Sequence, residues 1–97
     1  YALSEIHRIR AEILVKKNIK ANDELIQKEL DLADEVASEQ NALSFELRNA
    51  MSRYVWKNTP GTLQNLRSTY GRFTEGFETK DLKEAKELME EKASVHV

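Results

Sequence analysis

Tyr70-Gly71-Arg72-Phe73-Thr74-Glu75-Gly76-Phe77-Glu78-Thr79-Lys80-Asp81-Leu82-Lys83-Glu84-Ala85-Lys86 decides how the chain is read, because it joins aromatics, glycines and a helix start in one run. It reads as the end of one helix, a shaped loop and a closing helix. Gly71 marks the termination of the first. Gly76 admits a backbone angle that other residues resist, and Phe73 and Phe77 are expected to pin the loop to the core. Thr79 is placed to cap the closing helix, Asp81 falls in its first turn, and Leu82, Ala85, Leu88 and Met89 form its apolar stripe. That helix should fade after Ala93, leaving Ser94-Val95-His96-Val97 as a frayed tail.

Working outward, Thr59-Pro60 is the clearest local start signal, since threonine accepts an N-terminal amide and proline fits the first helical position. Leu63, Leu66, Tyr70 and Phe73 then recur at helical spacing. Before that start, Leu43, Leu47, Ala50, Met51, Tyr54 and Val55 predict a helix over residues 42–57, with Trp56 at its edge. Asn22 is a candidate cap for the preceding helix, with Asp23 and Glu24 in its first turn. Its expected buried face is Leu25, Ile26, Leu30, Ala33, Val36 and Ala37, and it should end near residues 38–40. The first helix, residues 2–17, carries the row Leu3, Ile6, Ile9 and Ile13, and Lys16-Lys17-Asn18 suits its C-terminus.

The fold class that follows is all-α, with two antiparallel tetratricopeptide-like hairpins and a C-terminal capping helix. Residues 1–93 make the helical segment. In such arrays a pair of helices cannot bury its faces alone, and about three repeats are the usual minimum. Further repeats upstream, or self-association, are therefore expected, and a first residue Tyr1 already inside a periodic pattern suggests a piece of something longer.

Composition narrows the function classes. With 97 residues the chain makes one domain at most, and 40% hydrophobic with 33% charged residues favours a helical globular segment over disorder. A net charge of −2 supplies no general positive field for phosphates, which disfavours nucleic acid as a partner. No cysteine is present, so disulfides and thiolate metal sites are excluded. Apolar runs such as Ile13-Leu14-Val15 are far too short to span a bilayer, so no membrane anchor is expected and a cytoplasmic origin is compatible.

The closing run closely resembles the C-terminal end of a family of large bacterial predicted ATPases, often fused to class III adenylate/guanylate cyclase domains. In that family a run like YxxFTEGFDTxDLxxAKxLL closes a tetratricopeptide-like region. Leu3-Ser4-Glu5-Ile6-His7-Arg8-Ile9-Arg10-Ala11-Glu12-Ile13-Leu14 is similar to its ELHRLRGELLL run, and Ser44-Phe45-Glu46-Leu47-Arg48-Asn49-Ala50 to its SLELRAA run. The chain departs from the pattern at Ala11, where the family tends to have glycine, at Asn22, Ile26 and Glu29, and in the link Asn58-Thr59-Pro60-Gly61-Thr62. The resemblance implies a non-catalytic tail of a signalling protein, with Tyr70, Phe73, Thr74, Gly76, Phe77, Thr79, Asp81 and Leu82 as structural motif residues. Its implied partner is protein: other domains of the parent chain or a signalling partner.

Individual residues give little chemistry. His7 has no second histidine one turn away, and His96 lies in the tail, so packing or a surface hydrogen bond suits His7 better than metal. Glu75, Glu78 and Asp81 lack the alternating ligand spacing of a calcium loop. Arg8, Arg10, Arg48, Arg53, Arg67 and Arg72 are dispersed and mixed with Glu5, Glu12, Glu39 and Glu46, which reads as a solvated surface with local pairs rather than a phosphate site. Tyr54, Tyr70 and Phe73 are assigned to packing, which leaves Trp56 as the interface candidate. No nucleophile elbow or phosphate loop is present, so no catalytic, cofactor-binding or metal-ligating residue is named and no cofactor is expected. Two other readings stand beside this one: a stand-alone homodimeric helical adaptor, and, more remotely, a divalent-metal phosphoryl-transfer domain built on the acidic loop.

Overall fold

The computed structural model describes the backbone of residues 2–17 and 22–95 and the side chains of 3–17 and 22–90. Five helices follow in order: α1 (Ala2–Lys16), α2 (Asp23–Glu39), α3 (Leu43–Trp56), α4 (Pro60–Tyr70) and α5 (Lys80–Val95). No strand occurs among the described residues. Asn18 and the tail residues His96 and Val97 lie outside the described residues, and α5 continues through Val95, two residues beyond Ala93.

Two hairpins and a closing helix make the architecture. Along α1 and α2 the partners run in opposite senses: Ser4 Oγ donates to the Ala33 carbonyl at 2.8 Å, His7 meets Glu29, and Ala11 packs with Ile26. Between α1 and α3 they run in the same sense, Glu5 meeting Arg48 and Glu12 accepting from Ser52. The link Lys57-Asn58-Thr59 folds α4 back on α3, and α5 packs against both. The result is a slab of 35 × 34 × 20 Å.

Local chemistry explains most helix ends. At the start of α4, Thr59 Oγ1 accepts from the Thr62 amide at 3.1 Å while Thr62 Oγ1 accepts from the Thr59 amide at 3.0 Å. This reciprocal cap satisfies two amides that the helix itself leaves unpaired. Asn22, by contrast, does not cap α2: its backbone is already helical, at φ −80°, and its side chain makes no capping bond. The first-turn carboxylates Asp23 and Glu24 are left to complement the helix dipole there. The turn into α3 uses Asn41 at φ 51°, while the Ala42 amide reaches back to the Ala37 carbonyl at 2.8 Å. Asparagine is among the few residues that take this left-handed geometry readily.

The core has two parts. Leu47, Ala50, Met51, Tyr54, Leu66, Leu82 and Ala85 form the larger, joining α3, α4 and α5, with Leu63, Tyr70, Phe73, Leu88 and Met89 packed on it. Ala11, Ile26 and Leu30 form the smaller, with Leu14, Val15 and Trp56 against them. Three expected core positions are corrected: Leu25 is 51% exposed, Val55 is 65% exposed, and Val36 is only half-buried. Each lies off the centre of its helix's buried face, where a 100° turn per residue carries it toward solvent.

Candidate functional site

α1, α3 and α5 line one open groove of about 570 Å³, within the size range of ligand pockets. One part is apolar, formed by Val15, Met51, Val55, Trp56 and Leu88. The other is an ion-pair chain that crosses the three helices. Arg8 donates to Glu5 at 2.7 Å and to Glu12 at 2.6 Å, and Ser52 donates to the same Glu12 oxygen at 2.7 Å. Arg48 Nε donates to Asp81 at 2.9 Å, and its Nη1 stands 3.3 Å from Glu5, a charge contact that does not complete a hydrogen bond.

The electrostatics follow from that chain. Burial on its own pushes the Glu5 carboxyl up, but the Arg8 hydrogen bond and the charges of Arg8 and Arg48 together hold it below the usual carboxylate value. The Asp81 hydrogen bond holds the Arg48 guanidinium above its ordinary value against the opposing effect of burial. Glu5, Glu12 and Asp81 are thus all engaged by arginine. Among the described residues no group of three or more histidine, cysteine or acidic side chains could hold a metal ion. No helix there is long and apolar enough to cross a membrane.

The comparisons with family models, curated proteins and solved structures give no match.

The closing motif divides by role. Leu82 is 2% exposed in the core, Tyr70 and Phe73 are packed on it, and Asp81 reaches Arg48. Gly76 sits at φ 77°, the left-handed region that favours glycine, and its carbonyl accepts from the Thr79 amide at 2.9 Å. The Thr79 carbonyl accepts in turn from Lys83 at the opening of α5. Phe77 does not pin the loop to the core: it is 47% exposed and leans on the Tyr70 ring, centroids 5.8 Å apart and planes tilted by 49°. Thr74 is exposed, and nothing in the structure explains a role for it.

The other singled-out residues are also placed. Trp56 is half-buried at the apolar part of the groove, with the Lys57 ammonium 5.2 Å from its ring centroid. His7 pairs with Glu29 across the first hairpin. Asp81 is engaged by Arg48, and Glu75, Glu78 and Asp81 form no group that could hold a metal ion. Arg8, Arg10, Arg48, Arg53 and Arg72 are each engaged by carboxylates, while Arg67 is exposed on α4.

Residue spacing did not disclose the groove or the Glu5-Arg48-Asp81 bridge, because both depend on how three separate helices are juxtaposed. A second buried polar group also went unseen. Asn49 is fully buried on the α2 side of α3, with neither amide atom in a completed hydrogen bond. Its neighbour Asp34 is pushed up by burial, against the pull of Arg53 at 2.7 Å and of the nearby Asn49 amide.

Proposed function

We propose that this chain is the non-catalytic, C-terminal helical-repeat segment of a bacterial signalling ATPase, of the kind often fused to class III adenylate/guanylate cyclase domains. It serves protein interaction or intramolecular regulation. The observation that carries the interaction role is the groove: three helices supply an apolar floor beside charges of which all but Lys16 are paired, a surface suited to a polypeptide side chain rather than to a reaction. The run from Tyr70 to Lys86, similar to the closing segment of those ATPases, supports the parentage.

A closing helix fits the same role. The exposed side of α5 away from the groove carries Lys83, Lys86, Glu87 and Glu90, with an i,i+4 contact between Lys86 and Glu90 at 3.8 Å, while Lys80 and Glu84, 3.9 Å apart, lie at the groove. Such exposed pairs add little stability. The outward charges do give that end of the stack the polar outer face that stops a helical array.

The test is site-specific photo-crosslinking in the full parent polypeptide. A photoreactive phenylalanine analogue replaces Val55 in the groove, and in a control replaces Glu87 on the outside of α5. A single mapped adduct from Val55, absent from Glu87 and lost on adding Leu88→Glu, is expected. No adduct, or the same adducts from both positions, would contradict the interaction role.

A further inference from the structure

The outward face of α1 is apolar. Leu3, Ile6, Ile9 and Ile13 are each 46–51% exposed, and Leu25 at the start of α2 adds another at 51%. At 100° per residue this row falls on the side of α1 away from the buried Ser4 and Ala11. The four half-exposed aliphatic side chains of α1 alone make a patch on the order of a few hundred Å², the size that marks a contact surface.

What covers such a row can be read from the fold's own repetition. An offset of about 40 residues, within the range of helical repeats, carries His7, Ala11 and Leu14 onto Leu47, Met51 and Tyr54. The first set faces α2 and the second faces α4. The same offset carries Arg8 and Glu12 on the groove side of α1 onto Arg48 and Ser52 on that side of α3. It carries Ile9, Ile13 and Lys17 onto Asn49, Arg53 and Lys57. That side of α3 is where α2 lies: Arg53 meets Asp34 and Asp31, Lys57 meets Asp23 at 3.2 Å, and Asn49 is fully buried. Ile9 and Ile13 of the bare row are thus the counterparts of positions that a helix covers on α3, whereas Ile6 corresponds to Glu46, which Arg72 engages.

Charge narrows the occupant. Lys17 and Lys16, the latter also at the groove, flank the aliphatic row, and Arg10 beside it is already met by Glu29, whereas the α1 carboxylates Glu5 and Glu12 are turned toward Arg8, Arg48 and Ser52. Two copies face to face would set cation against cation, and the patch falls short of the about 800 Å² per partner that a stable interface buries. A helix in the same polypeptide escapes the entropy cost of association and can supply carboxylates.

We propose that the outward face of α1 seats a helix encoded ahead of Tyr1 in the same polypeptide. It runs antiparallel to α1, lays aliphatic side chains on Ile9 and Ile13, and sets a first-turn carboxylate on Lys17, as Asp23 is set on Lys57. This rests on the helical-repeat reading above.

The experiment compares the 97-residue chain with the polypeptide expressed from its gene together with the residues ahead of Tyr1. Each is made with and without Ile9→Glu plus Ile13→Glu. The substitutions are expected to lower the melting temperature of the longer polypeptide by about 5 °C or more and to leave the shorter chain unchanged. Lys17→Glu should weaken the longer polypeptide, and reversing the facing carboxylate to lysine should restore it. Equal effects in both backgrounds, the absence of a preceding helix, or a concentration-dependent dimer of the longer polypeptide that the isoleucine substitutions abolish would each overturn the proposal. Crosslinking from Val55 is independent of all these outcomes, so the interaction role can stand if this one falls.

Discussion

Arg48 Nε donates to Asp81 Oδ2 at 2.9 Å, a bond between α3 and the first turn of α5 that spans 33 positions of sequence. The same guanidinium stands 3.3 Å from Glu5 on α1, so one side chain ties together the three helices that line the groove. Arg48→Ala should cost about 1 kcal/mol, because both pairs are partly solvated. Chemical denaturation checks this. Asp81→Asn in the Arg48→Ala background should cost little more, since the two residues act through one bond.

Leu82 is the anchor by which α5 reaches the core, at 2% exposure among Leu47, Leu66 and Ala85. Leu82→Ala is expected to lose about 2–5 kcal/mol through lost burial and the cavity left behind. Thermal unfolding followed by circular dichroism should show a clearly lowered midpoint. An unchanged midpoint would mean that α5 is not held there.

The two glycines of the closing motif should respond differently. Gly76→Ala places a Cβ at φ 77° and is expected to cost roughly 1–2 kcal/mol. Gly71, at φ −65°, already has helical geometry, and a Cβ there would meet the Arg67 carbonyl oxygen at 3.3 Å. Gly71→Ala should therefore be milder, needing only a small shift. Equal destabilisation of the two variants in urea melts would remove the special role of Gly76.

Acid should weaken the molecule through Glu5. Its folded-state pKa is lowered, so its contribution is present above the unfolded value near 4.5 and is lost as pH falls through the folded value. Asp34 acts in the opposite sense. Its folded pKa is raised, so its contribution is present below the unfolded value near 3.8 and is lost as pH rises through the folded value. Stability measured from pH 7 to 3 should fall less steeply in Glu5→Gln and more steeply in Asp34→Asn than in the unsubstituted chain.

The parts of the fold legible in the sequence are those that local chemistry dictates. Thr59-Pro60 announces α4 by its own capping chemistry, and the stripe Leu82, Ala85, Leu88 and Met89 meets the core as its spacing implies. Less legible was which side of an apolar helix faces inward. In α1 the large aliphatic row points out, while the small residues Ser4 and Ala11 are buried, because close approach of α2 selects small side chains. Asn22 looked like a cap, yet its helical backbone leaves its side chain without that role. Phe77 looked like core, yet Tyr70 takes the inner place and leaves it on the rim. At the groove, Trp56 was visible as a lone aromatic at a helix end, but its neighbours Val15, Met51 and Leu88 come from three helices that only the fold brings together.

The central structural claim is that α5 closes the stack. Its most direct test is the hydrodynamic mass and melting temperature of a chain lacking residues 79–93. Loss of α5 uncovers Leu47, Leu66 and their neighbours, so the truncated chain should aggregate or melt well below the intact one. A soluble truncated monomer with the melting temperature of the intact chain would contradict the account.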